Sequence, residues 1–331
     1  MAKKTYIILS VVGGIVLLAI TAVIIAQYRV SDCPQSMVVE KPLVKIGYRE
    51  HIVYAPLYVG IEEKIFEQHG LRVEPVKFES TNQLMEALIS GRIDASFGGV
   101  NNYVLLTIEE KTASEYKIIS LASETTNAPW VFMLIRKDSE IKKIEQLKGK
   151  KIGVFPGSFA KAIYKKMIEN YLDLQEVELV QMNANLELQA LESGQVDAVI
   201  VLEPLAAVGH DRSISKTLDN ALFANYFFDK MPVTASVISS RFLLENKETA
   251  NKLIMANNQI INYINNNSTN TKKYIAKYTI LEQDILDKIS LPVFERLNTD
   301  NKQRLQKLSD LFYEEELLEK KIDVKNLLIY D

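Results

Sequence analysis

Cysteine is almost absent from this chain of 331 residues: Cys33 stands alone, which excludes an intrachain disulfide and any metal cage built on thiolates. Histidine is scarce, with three residues, so a histidine-rich metal site has too few ligands to draw on. Excess charge of either sign is missing as well. Lys and Arg number 39 against 42 Asp and Glu, a formal balance of −3, so no basic field invites nucleic acid or an anionic membrane surface. There is no phosphate loop, no hydrolase serine elbow and no paired metal motif, and Lys148-Gly149-Lys150 reads as a turn ahead of a strand. No cofactor is expected, and a non-catalytic role is favoured.

What is present is apolar residue in quantity, 47% of the chain, enough for two domains of ordinary size with real cores. Tyr6–Ala26 is an uncharged run of about 21 residues, sufficient to cross a bilayer as a helix. Lys3 and Lys4 precede it and Arg29 follows, which places the N-terminus in the cytoplasm and the rest outside. The rival reading is a cleaved signal peptide, with Ala22 and Ala26 near the processing site; signal cores are shorter, so a retained anchor over residues 1–27 is preferred. Lipidation of Cys33 is disfavoured by the charged Arg29 and Asp32 before it. Residues 28–42, polar with two prolines, read as a tether.

Two stretches carry the same design. Leu88-Ile-Ser-Gly-Arg-Ile-Asp-Ala-Ser-Phe-Gly-Gly-Val100 and Leu191-Glu-Ser-Gly-Gln-Val-Asp-Ala-Val-Ile-Val-Leu-Glu-Pro204 each run from an amphipathic segment through Ser-Gly to Asp-Ala and an apolar burst. Each spacing predicts a helix, a left-handed glycine stop at Gly91 or Gly194, and a short buried strand at Ile93–Phe97 or Val196–Leu202. Around them the order of parts is similar. Strands are predicted at Leu43–Tyr48, Leu71–Phe78, Lys117–Ser123, Trp130–Arg136, Ile152–Phe155 and Val177–Met182. Helices are predicted from Pro56 to about Gln68, from the Ser80-Thr81-Asn82 cap to Gly91, over Val100–Glu110, over Ser158–Tyr171, and after an Asn185 cap; Asp138–Lys150 holds a short one. A β-α-β-α-β succession implies right-handed crossovers and a parallel sheet in each half. Asn262–Thr271 joins two helices, with sequons at Asn266 and Asn267, and Leu281–Leu318 reads as amphipathic helices.

Gly47-Tyr48, Ala55-Pro56-Leu57-Tyr58-Val59, Lys64–Leu71, Ser90–Ala95, Leu147–Val154, Pro156-Gly157-Ser158 and Leu191–Pro204 together resemble the substrate-binding proteins of the nitrate, sulfonate and taurine ABC importers. That family shares its fold with the pyrimidine-precursor proteins of thiamine metabolism. The resemblance implies an α/β, type II periplasmic-binding-protein fold, in which two α/β lobes close on a ligand at the hinge, here preceded by one transmembrane helix. It implies a return of the chain to lobe one near Val233–Phe242. Lobe one is then 43–135 with 233–331, and lobe two 136–232. Partners implied are a small polar solute and ABC permease subunits, with the protein a monomer. The thiamine-pyrimidine synthases of this fold use a cysteine-rich motif that Cys33 alone cannot supply. A sensor ectodomain would need an output domain, and only about five residues precede the expected span.

In an open parallel sheet the crevice lies beyond the carboxyl ends of the strands, where helix N-termini present unpaired N–H groups. Four such junctions supply ligand-binding candidates: Arg49, His51 and Tyr54; Ser80, Thr81 and Asn82; Gly98, Gly99 and Asn101; and Gly157, Ser158 and Phe159 from the facing half. Each has a plainer reading, Ser80 and Ser158 as helix caps and Gly98-Gly99 as a tight turn. Trp130, the single tryptophan, is either packing at a lobe junction or a ligand platform. Glu203 is a helix-start residue or a ligand acceptor. His69 and His210 read as surface residues. Arg49 is the one fixed cation in these loops, against Glu50, Glu79, Glu124 and Glu203, a balance that leans toward a neutral or nitrogen-bearing solute over an anion.

Overall fold

The computed structural model describes residues 41–155, 158–169, 171 and 176–329. The expected membrane span and nearly all of the tether therefore lie outside the described residues; among those described, no helix is long and apolar enough to cross a membrane. Pro42–Asp331 is one compact unit.

Two sheets organise it. The strands in chain order are β1 (Leu43–Tyr48), β2 (Arg72–Lys77), β3 (Ala95–Asn101), β4 (Tyr116–Glu124), β5 (Val131–Arg136), β6 (Lys151–Val154), β7 (Glu178–Gln181), β8 (Ala198–Leu202), β9 (Ser215–Asn220), β10 (Met231–Ser239) and β11 (Val293–Arg296). The first sheet has the order β11-β4-β10-β3-β1-β2 and the second β7-β6-β8-β5-β9.

The two copies of the sequence motif occupy the same place in the two sheets and make the same bonds. Gly91 and Gly194 end their helices with φ of 71° and 73°. Ser90 and Ser193 each donate a hydroxyl to the alanine carbonyl one turn back, both at 3.3 Å. Asp94 accepts the backbone N–H of Lys45 on β1 at 2.8 Å, and Asp197 that of Lys151 on β6 at 2.9 Å. The invariant part of the design is thus a carboxylate that registers the new strand against the first strand of its sheet, where the ladder would otherwise leave an N–H unpaired.

The parallel cores match the succession read from the sequence: β1 pairs with β2 and β3, and β6 with β7 and β8, all parallel. The sheets are nevertheless mixed. β10 enters the first sheet between β3 and β4 and runs antiparallel to both. All nine of its residues are buried, as suits a central strand. In the second sheet β5 lies antiparallel to β8 and β9. β11, inside a stretch expected to be helical, pairs with the outer edge of β4; Pro292 interrupts the helical pattern there and Val293-Phe294 supplies the strand formers.

Smaller departures have local causes. The helix expected to run unbroken from Pro56 to Gln68 is two, Ala55–Glu62 and Ile65–Gln68, because Lys64 adopts a left-handed conformation, φ 53°. Asn183 rather than Asn185 stands at the N-cap of Ala184–Glu192. The helix after β6 ends at Glu169. A long helix, Lys247–Asn266, buries Leu253, Ile260 and Ile264 at helical spacing, in the core that holds the first sheet.

Candidate functional site

The carboxyl ends of β1, β2 and β3 come together with the loops that follow them, as the crevice argument requires. After β1 the chain makes a tight excursion, Arg49-Glu50-His51, before the one-turn helix Ile52–Tyr54. His51 caps that turn, its Nδ1 accepting the Val53 N–H at 3.4 Å. Burial, and then the Arg49 charge beside it, hold the His51 imidazole down to about 4, so the ring is neutral at physiological pH. Beneath the excursion lies the buried Tyr58, whose hydroxyl is placed to donate to the carbonyls of Arg49 (3.1 Å) and His51 (3.4 Å). Tyr58 in turn stacks on Tyr278 with ring centroids 4.6 Å apart.

Arg49 itself is half-buried and donates from Nη1 to Thr81 Oγ1 at 3.3 Å. It forms no ion pair with another described residue. Thr81 opens the helix Thr81–Ile89, and Ser80 is its N-cap, accepting the Gln83 N–H at 3.2 Å. Asn82, the next residue, is exposed. Two of the three junction loops of the first sheet are therefore tied together by one guanidinium that retains most of its donors.

The third loop approaches from β3. Gly98 has φ of 97°, and a Cβ there would sit 2.1 Å from the Val53 carbonyl oxygen, so the excursion after β1 and the end of β3 meet at a backbone contact that only glycine permits. Its carbonyl accepts the Thr234 hydroxyl of β10 at 2.6 Å. Gly99 lies on the ring of Tyr54, which is fully buried with an unpartnered hydroxyl. Asn101 caps the helix Asn102–Lys111, accepting the Tyr103 N–H at 2.8 Å. Arg49, His51, Tyr54, Thr81, Gly98 and Gly99 are thus brought into one neighbourhood, with Ser80, Asn82 and Asn101 on its helix starts.

On the second sheet, Ser158 begins its helix as expected, while Gly157 and the side chains of Ser158 and Phe159 lie outside the described residues. Two apolar side chains that sequence reasoning passed over stand at the same carboxyl edge: Phe155, directly after β6 and 45% exposed, and Leu186, in the first turn of the helix after β7 and 46% exposed. An aromatic left at a strand end before Pro-Gly was their one available signal. Trp130 is 2% exposed and lies within the packed junction, its indole N–H unpartnered. His69 bonds Gln259 and His210 bonds Thr217, both at the surface. A cavity of about 450 Å³ lined by Lys166, Phe227, Phe228 and Lys307 lies apart from all these candidates.

The acids are what the sequence misjudged. Glu50 pairs with Lys77 at 2.8 Å, and Glu79 adds its charge beside that lysine. Glu124 is fully buried and accepts four backbone N–H groups. Glu203, joined to Pro204 by a cis peptide, is 4% exposed and accepts the Ala207 N–H at 3.1 Å. Burial pushes both carboxyls up to about 7. Three of the four loop acids are thus paired, buried or bonded to backbone, Glu79 stays exposed, and Arg49 has no ion pair among the described residues. The balance of four free acids against one cation, on which the expectation of a neutral solute rests, does not hold.

The NMT1-like family model matches residues 38–280 of this chain. A Bacillus subtilis (strain 168) protein named for the binding of aliphatic sulfonates is 22% identical over 293 residues, covering 86% of this chain and 85% of its own length. The crystal structure of the periplasmic aliphatic sulphonate binding protein SsuA from Escherichia coli superposes with a TM-score of 0.71 at 17% identity, over 87% of this chain and 92% of that one. The ligand binding component of an ABC-type import system from Staphylococcus aureus gives 0.70 at 17% identity, over 87% and 96%. A shorter match reaches an enzyme: 4-amino-5-hydroxymethyl-2-methylpyrimidine phosphate synthase of Aspergillus parasiticus, 28% identical over 157 residues, 47% of this chain and 44% of that one.

Proposed function

The chain belongs to the NMT1-like family, and from that premise we propose that it is the extracytoplasmic solute-binding component of an ABC importer, taking a small organic anion of the sulfonate type. The observation that carries the choice of anion is Arg49, half-buried at the carboxyl edge of the first sheet with Thr81 as its side-chain partner and no counter-charge among the described residues. A sulfonate or a comparable oxyanion would accept from the guanidinium and from the helix start at Thr81. Phe155 and Leu186 on the second sheet offer the solute's carbon skeleton an apolar wall. The relatives named for sulfonate binding support this reading, since they match most of the chain.

In this proposal Arg49, His51, Thr81, Asn82 and Asn101 contact the solute from one lobe, and Gly157, Ser158 and Phe159 from the other. Tyr54, Gly98, Gly99, Ser80, Trp130 and Glu203 shape the walls behind them. We take the lobes to follow the sheets, a reading in which the first boundary lies in the passage Thr125–Trp130, ahead of β5 of the second sheet, in place of residue 135. Capture proceeds by lobe closure, the solute favouring the closed form by its contacts with both walls. The closed form of a monomer then docks on the permease, and residues 1–27 tether it to the membrane with the binding unit outside; a cleaved signal peptide is the alternative for that segment.

The test is a thermal-shift series on the full chain in detergent with alkanesulfonates, taurine, nitrate, bicarbonate and aminopyrimidines. A solute at a hundredfold excess over its dissociation constant stabilises by about 2.7 kcal/mol. A shift with sulfonates that Arg49→Gln abolishes supports the proposal. A shift with an aminopyrimidine alone would replace it with the pyrimidine-precursor reading.

A further inference from the structure

The chain passes between the two sheets twice, from β4 to β5 through Thr125–Trp130 and from β9 to β10 through Ala221–Lys230. One side chain of the first sheet bonds the backbone of both passages. Glu124 is the last residue of β4, in the first sheet, and is fully buried. Its Oε1 accepts the N–H groups of Trp130 at 2.9 Å and Val131 at 2.7 Å. Its Oε2 accepts those of Phe223 at 2.8 Å and Ala224 at 3.2 Å. Among the described residues no cation bonds it; its partners there are these four donors, with Tyr164 of the helix Ser158–Glu169 near enough to feel its charge.

On the first-sheet side the ends of both passages are anchored. Arg304 pairs with Glu295 of β11 at 2.6 Å and donates to the Ser123 hydroxyl at 3.3 Å and the Lys230 carbonyl at 2.5 Å, so both passages are rooted where they leave that sheet. Asp229 accepts the Thr126 N–H at 3.2 Å and ties one passage to the other. On the second-sheet side, Val131 opens β5 and Phe223 lies just beyond β9, and these two strands pair directly, Phe132 opposite Asn220. The clamp therefore grips the end of one strand pair. It also reaches the crevice edge, because Trp130 accepts the N–H of Glu203 at 2.8 Å.

We propose that Glu124 is a positioning residue for solute capture: its carboxylate holds both passages against the end of β4, so that the second sheet turns about one fixed point instead of two independent ones. This rests on the lobe-closure reading above. The chemistry suits the task. A carboxylate has two acceptor oxygens with room for two donors each, whereas a glutamine of the same size has one, and an alanine none. Hinge motion is absorbed by a few residues at element ends, and Glu124 decides which ends move together.

Hydrogen exchange of the full chain separates this role from simple stabilisation. Peptides covering residues 124–131 and 221–226 are followed in the wild type, Glu124→Gln and Glu124→Ala, with β3 and β8 as internal controls and hexanesulfonate as probe. In Glu124→Ala, exchange at both passages rises about tenfold or more while the controls stay unchanged. In Glu124→Gln, one passage is freed and the other stays protected. Apparent affinity for the probe falls about tenfold in both, since the aligned form becomes a smaller fraction of the ensemble. The proposal is overturned if the passages of the alanine variant exchange as in the wild type, or if the passages and β8 rise together. Should Glu124→Ala fail to fold, the one-sided pattern of Glu124→Gln decides. If the wild type ignores hexanesulfonate, the solute reading fails, and the exchange pattern alone still upholds or overturns the clamp.

Discussion

Arg49 and the buried acids show how the chemistry of one residue depends on its neighbours in space. A guanidinium with a single neutral side-chain partner stabilises the apo protein little, and its removal should be felt in binding. Arg49→Gln is expected to leave the apo melting midpoint nearly unchanged and to weaken sulfonate binding about 10- to 100-fold, the usual worth of a charged hydrogen bond, as read by titration calorimetry. Two carboxyls pull in another direction. Burial pushes Glu187 up to about 8, with one oxygen unpartnered, and Glu203 up to about 7. Their folded values lie above the ordinary 4.5, so the folded state holds more protons than the unfolded one between them. Their contribution to stability is fully present below about pH 4.5 and is lost as pH rises through 7 to 8. Denaturant titrations should show stability falling over that window, on the order of several kcal/mol in total. Glu187→Gln should flatten the upper end of the fall. An unchanged profile in that variant would mean the carboxyl is not the buried, uncharged group described.

At the scale of elements, the duplicated helix–turn–strand unit makes a paired prediction. Asp94 and Asp197 perform one task in two sheets, so Asp94→Ala and Asp197→Ala should each cost about 1–3 kcal/mol by leaving a strand N–H unpaired. Thermal unfolding of the two variants checks this; a loss at one site alone would break the equivalence. The contact of β3 with the Ile52–Tyr54 turn gives a second expectation. Gly98→Ala combines a left-handed φ with a clash against the Val53 carbonyl and should cost more than about 3 kcal/mol, whereas Ser80→Ala, a lost cap, should cost about 1 kcal/mol. These elements were largely readable beforehand. The Ser80 cap and the Gly91 and Gly194 stops depend on contacts within a few residues, and β1 carries its alternating pattern within its own six. β11 was not readable, because a four-residue strand between amphipathic helices carries too short a pattern to compete.

For the whole molecule, the proposed closure of the two sheets about their two passages should be visible in solution. Saturating sulfonate is expected to lower the radius of gyration measured by small-angle scattering, and Arg49→Gln should suppress the change. A solute that binds without compaction would place recognition on one lobe alone and leave closure without a driving contact. The passages lie at Glu124–Val131 and Asn220–Met231, far apart in sequence and adjacent in space through the pairing of Met231 with Glu124.

The sequence by itself determined the repeated helix-stop-strand design, the parallel triplet along one edge of each sheet and the loops at the carboxyl ends of its strands. All of these follow from turn residues and apolar periodicity within successive βαβ units of about 30 residues each. Tertiary structure alone decided that β10 lies between β3 and β4, since that strand is recruited from more than a hundred residues away. It also decided the charge of the site. Glu50 meets Lys77 only because β1 pairs with β2, and Glu124 meets Phe223 only because the chain returns. Burial and pairing across such distances govern which acids stay charged, and so they set the charge around Arg49.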